Sequence, residues 1–169
     1  MNLYFRLLKL LLSRLLWRQP MRLLDISTVH GRVWPNDLDN NFHMNNGRYL
    51  TLMDLGRFDI ILRAGHLGLC IRKRWFPVVG ALKIQYYRPL KPFQKFEIYT
   101  RILGWDEKWL YLEQWIEAEG KLCAGAHIQG LFMGPEGKIA SKDLLKAMGL
   151  KRKSPKLPPK FKDWLRPTR

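Results

Sequence analysis

Between Asn46 and about Ala64, apolar residues recur at helical spacing, at Leu50, Met53, Phe58, Ile61 and Leu62. This one long helix constrains the rest of the chain, because the residues beyond it read as sheet. Four strand-like stretches, Val78 to Tyr87, Phe96 to Leu103, Trp109 to Ala118 and Leu122 to Met133, are separated by turn signals. Those signals are Pro89 and Pro92, Gly104 with Asp106, and Glu119 with Gly120. A fifth stretch, Leu24 to Trp34, precedes the helix with partial alternation on Ile26, Val29 and Val33. The order strand, helix, four strands predicts an α+β domain in which a curved antiparallel five-stranded sheet must cover its apolar face with the single long helix. Short connections among the last four strands predict that they pair consecutively. Gly65 to Phe76 reads as an irregular connection with a basic cluster, Arg72, Lys73 and Arg74, suited either to phosphate or to solvent. Ser141 to Leu150 reads as a short helix capped by Ser141, with Asp143 in its first turn.

A chain of 169 residues is long enough for one domain with a substantial core. Its 30 Lys+Arg against 14 Asp+Glu give +16, and the excess sits at the ends. Residues 1–23 contribute +5 and residues 149–169 contribute +7, which leaves +4 for the middle. This divides the chain into a basic amphipathic N-terminal helix (1–23), a central domain (24–150) and a basic, Pro-rich tail (151–169). Wound as a helix, the first segment places Arg6, Lys9 and Ser13 near one side and Leu8, Leu12 and Leu15 opposite, with Pro20 as its stop. Two readings fit: attachment to an anionic membrane surface, or packing on the domain or on a partner subunit. No run is long enough to span a bilayer. The tail reads as an extended arm with an apolar clamp of Phe161, Trp164 and Leu165. Cys70 and Cys123 form no metal or disulfide spacing, so a reducing, cytoplasmic setting is expected, with peripheral membrane contact through the first helix.

The loop entering the long helix, Pro35 to His43, holds two aspartates, three asparagines and a histidine, more polar functionality than a connector needs. Asn45 and Asn46 suit a helix start, where unpaired amides and the macrodipole stabilise negative charge. The residues Asp37, Asp39, His43, Met44, Asn45, Asn46 and Tyr49, followed by Asp54 and Arg57, resemble the motif of the hotdog-fold acyl-CoA thioesterases of the 4-hydroxybenzoyl-CoA type. The thioesterase superfamily member 6-like subgroup is the closest match. The likeness spans about Asp25 to Met133. Phe42 departs from it, standing where the wider family has glycine; a bulky side chain there would narrow the acyl pocket or change the turn.

The resemblance implies a hotdog fold, hydrolysis of a fatty or aromatic acyl-CoA to free acid and coenzyme A, and a homodimer or homotetramer with sites between subunits. It implies no cofactor beyond the coenzyme A of the substrate, and no metal. It matches Asp39 to the nucleophile or general base and the backbone amide near Asn46 to the group that polarises the thioester carbonyl. His43 would orient Asp39 or donate to substrate. Asn45, Tyr49 and Phe42 would line the substrate site, Tyr49 alternatively packing in the core. Asp37 and Asp54 are second-rank acids: Asp37 sits in a turn where a second carboxylate opposes ionisation of the first, and Asp54 forms an i,i+3 pair with Arg57. A loop aspartate on its own more often bonds the local backbone, and His30, His66 and His127 match no motif position.

Other readings are an acyl-CoA-binding or membrane-associated hotdog scaffold without turnover, and a hotdog dehydratase, for which the spacing from Asp39 to His43 is one residue short. Nucleic-acid binding is prompted by charge alone. Trp105, Trp109, Tyr111 and Trp115 recur at strand spacing, which is ordinary sheet packing.

Overall fold

A computed structural model describes residues 2–16, 20–150 and 153–158. The helices are α1 (Asn2–Leu16), α2 (Asn46–Arg63), α3 (Leu67–Lys73) and α4 (Ser141–Ala147). The strands are β1 (Ser27–Arg32), β2 (Phe76–Tyr86), β3 (Lys95–Trp105), β4 (Leu110–Ala118), β5 (Lys121–Gly134) and the short β6 (Gly137–Ile139). The five expected strands and the long helix are all present, and the curved sheet wraps α2. The expected clamp of Phe161, Trp164 and Leu165 lies outside the described residues.

Strand order is β1-β3-β4-β5-β2, every pair antiparallel, with β6 added to β5. Consecutive pairing therefore holds for β3, β4 and β5 and fails for β2, which crosses over to β5. The Pro-interrupted connection from Tyr87 to Gln94 is too long and too kinked for a hairpin. It is also tied elsewhere, Leu90 O accepting from Met44 N (2.9 Å) and Val33 O from Phe93 N (3.0 Å). The side of β3 that β2 would have taken is filled by β1.

The buried face of α2 is centred on Leu52, Met53, Gly56 and Ile60, one helical stripe against Ile98, Ile116 and Ile128 of the sheet. Leu50, Phe58 and Leu62, expected on that face, are only half-buried. The stripe is rotated because two residues without apolar side chains, Gly56 and Asp59, also point inward. A Cβ at Gly56 would lie 2.3 Å from Thr100 Oγ1 and 3.0 Å from Gln114 Nε2, so glycine is what lets the helix sit this close to β3 and β4. Gln114, fully buried, donates to Met53 O (2.8 Å) and Thr100 Oγ1 (2.7 Å) and accepts from Arg57, which satisfies its amide and pins mid-helix to mid-sheet.

Three local expectations change. The connection after α2 contains α3, whose C-cap residue, Arg74, is left-handed (φ 54°). The cap of α4 is Ala140 rather than Ser141, and the buried Ser141 hydroxyl has no partner among the described residues. Arg6 and Arg14 of α1 reach across to two buried carboxylates, Asp37 and Asp59. Beyond α4, Ser154 accepts from Trp105 N (2.8 Å), which seats the start of the C-terminal arm at the end of β3.

Candidate active site

The loop before α2 is built on a buried carboxylate. Asp37 ends a short 3-10 turn, Pro35–Asp37, and is fully buried. One of its oxygens accepts from Arg48 Nε (3.0 Å) and Nη2 (2.9 Å). The other accepts from Trp34 N (2.9 Å) and pairs with Arg6. Its main-chain oxygen accepts from Asn45 N (2.8 Å). Every part of Asp37 is committed to holding the loop, as a buried charge requires.

Asp39 stands two residues further on and differs in that respect. A bridge between Leu38 and Met44 closes a small hairpin, inside which Asp39 N donates to His43 O (2.9 Å) and Phe42 N to Asp39 O (3.1 Å). Its Oδ1 accepts from Asn41 N (2.9 Å) and His43 N (3.3 Å). Its Oδ2 has no partner among the described residues, and the side chain is half-buried. One oxygen orients the carboxylate and the other is available.

α2 begins immediately after this hairpin. Asn45 is its cap, the side chain accepting from Gly47 N (2.9 Å). That leaves the Asn46 amide, first of the helix, among the first-turn donors without an intrahelical acceptor. Tyr86 of β2 donates to Asn46 O (3.0 Å), anchoring the helix start to the sheet. Tyr49 is buried rather than lining an opening. Its phenol oxygen accepts from Leu90 N (3.1 Å), its ring meets Tyr86 edge-on at 5.2 Å, and burial pushes its pKa up to about 12. His43 contributes backbone to the hairpin, and its imidazole makes no hydrogen bond among the described residues.

Phe42 adopts φ 57°, the left-handed conformation that glycine takes without cost, and its ring is 74% exposed. The substitution therefore keeps the glycine-type turn and points its bulk outward.

Asp54 is half-exposed and pairs with Arg57. Both border an apolar cavity of about 280 Å³ between the C-terminal half of α2 and the sheet, lined by Leu55, Phe58, Ile61, Leu112, Ile128 and Phe132 among others. The cavity begins roughly 12 Å along the helix axis from Asn46, at about 1.5 Å per residue. Asp59, unassigned by motif reading, is fully buried against Ser27 Oγ (2.6 Å), Arg14 Nε (2.7 Å) and Arg63 (3.6 Å). Its signal in the sequence was a charge one residue off the polar stripe of an otherwise readable helix. The structure places Asp39, His43, Asn45 and Asn46 together at the N-terminal end of α2 and Asp54 at mid-helix, about two turns along. His30 and His127 make surface pairs with Glu97 and Glu113. Among the described residues no cluster of three His, Cys, Asp or Glu is placed to hold a metal ion, and no helix is long and apolar enough to cross a membrane.

The sequence pattern of the thioesterase-like superfamily matches residues 33–165. Protein THEM6 of Danio rerio is 43% identical over 102 residues, covering 60% of this chain and 50% of that protein. The chain spans about half the length of the curated THEM6 relatives it matches. Among solved structures, the probable thioesterase YbaW of Escherichia coli superposes with a TM-score of 0.67 at 23% identity, covering 73% of this chain and 96% of its own. A DHNA-CoA thioesterase of Staphylococcus aureus superposes with a TM-score of 0.65 at 17% identity, covering 73% and 89%. At those identities the structures establish a shared hotdog fold. The pattern match, which takes in the hairpin that carries Asp39, α2 and strands β2 to β6, establishes more: the chain belongs to the thioesterase-like superfamily.

Proposed function

We propose that this protein hydrolyses the thioester of an acyl-CoA, with Asp39 as nucleophile or general base and the Asn46 amide polarising the carbonyl. The observation that carries the reading is the asymmetry of the Asp39 carboxylate: Oδ1 is tethered by two loop amides and Oδ2 is unengaged among the described residues, in the hairpin that leads directly to the Asn46 amide, the next two helix amides, Gly47 N and Arg48 N, being taken by Asn45. As a base, Oδ2 takes a proton from water while the water oxygen adds to the thioester carbon. The oxyanion is held by the amide, the C–S bond then breaks, and the thiolate of coenzyme A leaves to be protonated. As a nucleophile, Oδ2 itself adds, the C–S bond breaks to expel the thiolate of coenzyme A, and water hydrolyses the resulting mixed anhydride to free acid and the Asp39 carboxylate. Members of the fold named as CoA thioesterases support the CoA part of the reading. The apolar cavity beside α2 supports an aliphatic or aromatic acyl group.

The enzyme acts as a homodimer. β1 is closed off by α1, whose Arg6 and Arg14 donate to the carbonyls of Arg32 and Thr28 (3.1 Å each), whereas β2 is an open edge bearing exposed Phe76, Val78, Val79 and Tyr86. With no helix over it among the described residues, such an edge is suited to pairing with the same strand of a second copy.

The test is release of thiol from short, medium, long and aromatic acyl-CoAs. Asp39→Asn is expected to lower kcat by about 10²–10⁴-fold. Asn46→Pro removes the proposed amide at the first helical position, where proline is tolerated, and Asn45 already has the extended backbone (ψ 136°) that a following proline favours. It is expected to lower kcat by about 10²–10³-fold with the fold intact. Background rates in the wild type, with acyl-CoA still bound, would replace hydrolysis with the scaffold reading.

A further inference from the structure

The helix α1 is mounted with its mixed side inward and its purely apolar side outward. Leu3, Leu7 and Leu10 pack on the domain, and Arg6 and Arg14 between them end on the buried carboxylates of Asp37 and Asp59. The other side carries Tyr4, Phe5, Leu8, Leu12, Leu15 and Leu16, each between 49% and 76% exposed. At about 100° per residue these six fall within roughly 120° of arc, so they form one continuous stripe. A helix that docks on a domain ordinarily buries such a stripe; here two charge contacts anchor the helix and the stripe is left to solvent. An apolar surface of that kind marks a contact site.

A cationic groove of about 740 Å³ runs alongside, between α1 and the β1–β3 edge. It contains Lys9, Arg32 and Lys95, whose side chains make no ion pair or hydrogen bond among the described residues. Glu97 on the same edge is taken up by His30 and the Tyr99 hydroxyl. α1 itself contains no acidic residue. At about 22 Å long, it has room to lie along a surface.

We infer that α1 lies flat on an anionic phospholipid bilayer, its leucine stripe in the acyl boundary and Lys9, Arg32 and Lys95 at the phosphate layer. A groove on another protein would match the stripe alone, whereas an anionic bilayer matches the stripe and the unpaired cations beside it. The cations that a helical wheel assigns to headgroups, Arg6 and Arg14, instead hold the helix in this orientation. This inference stands on α1 and its flank and is independent of hydrolysis at Asp39.

The experiment is co-sedimentation of the full chain with phosphatidylcholine vesicles made with and without phosphatidylserine. Wild type is expected to pellet with the phosphatidylserine vesicles. Leu8→Glu with Leu12→Glu is expected to weaken that binding by at least about tenfold. Lys9→Gln and Lys95→Gln are expected to weaken it by about fivefold each, and only where phosphatidylserine is present. Circular dichroism checks that the exposed substitutions leave the fold intact. Wild type remaining in the supernatant, or the leucine variant pelleting like wild type, would overturn the inference. So would sedimentation equilibrium in which the same leucine substitutions dissolve an oligomer while vesicle binding persists, since a second copy would then be what covers the stripe.

Discussion

Gly56→Ala is the substitution for which helix propensity and packing disagree most sharply in this fold. In an isolated helix the change would stabilise by about 1 kcal/mol. Here the new Cβ would sit 2.3 Å from Thr100 Oγ1, more than 1 Å inside ordinary contact by rough van der Waals dimensions. The hydroxyl has no easy escape, because Thr100 is fully buried and its Oγ1 accepts from Gln114 Nε2 at 2.7 Å. Forcing α2 outward costs about 1–3 kcal/mol as overpacking. Losing the Gln114 contact leaves a buried N–H unpaired at a further cost of about 1–3 kcal/mol. The expected net is destabilisation by about 2–3 kcal/mol, read as a fall in Tm of roughly 4–12 °C for a domain of this size. Thr100→Ala removes the atom that clashes, so in that background the penalty of Gly56→Ala should shrink by about 1 kcal/mol or more. Gly68→Ala in α3, with nothing within 4 Å of its new Cβ, is the control and should be neutral to stabilising. A Gly56→Ala protein melting at or above the wild-type temperature would refute the close-approach argument and the buried network built on it.

Two other outcomes rest on single residues. Phe42→Gly relieves a left-handed aromatic residue whose ring buries little, and should stabilise by about 0.5–1 kcal/mol after the added flexibility of the unfolded glycine is deducted; thermal melts measure it. Because the ring points to solvent, the acyl-chain preference of Phe42→Gly should match wild type, and a shifted profile would put Phe42 back into the substrate site. Burial works to raise the Asp106 pKa, yet donation from the Tyr111 hydroxyl (2.5 Å) and the Trp109 and Lys108 amides (2.7 and 2.8 Å) holds it below the ordinary carboxylate value. Its contribution is therefore full above the unfolded pKa of about 3.9 and is lost as pH falls through the lower folded value. The Tm gap between wild type and Asp106→Asn should accordingly narrow on acidification from neutral pH to below about 4. A gap that stays constant would mean that the β3–β4 turn draws nothing from the ionised form.

The parts of the fold legible from sequence were those set by local periodicity. α2 was bounded within a residue or two because Asn45 caps it and Gly65 follows it, and five strands were placed by their turn residues. What local pattern does not encode is which strands meet. The crossover of β2 to β5 depends on β1 occupying the edge of β3, a relation between segments far apart in the chain. The polar interior was equally hidden. Alternation puts Gln114 on the inward face of β4 with Leu112 and Ile116, but what would satisfy a buried amide there is seen only once Thr100, Met53 O and Arg57 are brought to it, and Asp59 reads as solvated until Arg14 arrives from α1. The motif located the candidate site to within one loop. The glycine position held by Phe42 shows why the motif tolerates the change: the turn needs a positive φ, and an exposed side chain can supply it at modest cost.

Four aspartates lie on the loop and helix of the candidate site, and their environments separate them more clearly than their order in the motif does. A carboxylate that is to accept a proton or attack a carbon needs an oxygen not already engaged by donors, since each hydrogen bond to the anion lowers its basicity. Asp37 has both oxygens on arginine or amide donors and no exposure, and Asp59 is enclosed by Ser27, Arg14 and Arg63. Removing either would take the counter-charge from part-buried arginines, so loss of activity at those positions would report loss of structure. Asp54 is accessible but tied to Arg57, which in turn reaches Gln114, so its charge is committed to the helix–sheet contact. Asp54 also keeps one oxygen free, but its other oxygen carries the Arg57 cation; Asp39 differs in being oriented by two loop amides, with no arginine or lysine paired to it among the described residues, next in the chain to the helix start where the Asn46 amide lacks an intrahelical acceptor. The three other carboxylates are each paired with an arginine of the framework, which leaves Asp39 as the one of the four with no cation partner among the described residues.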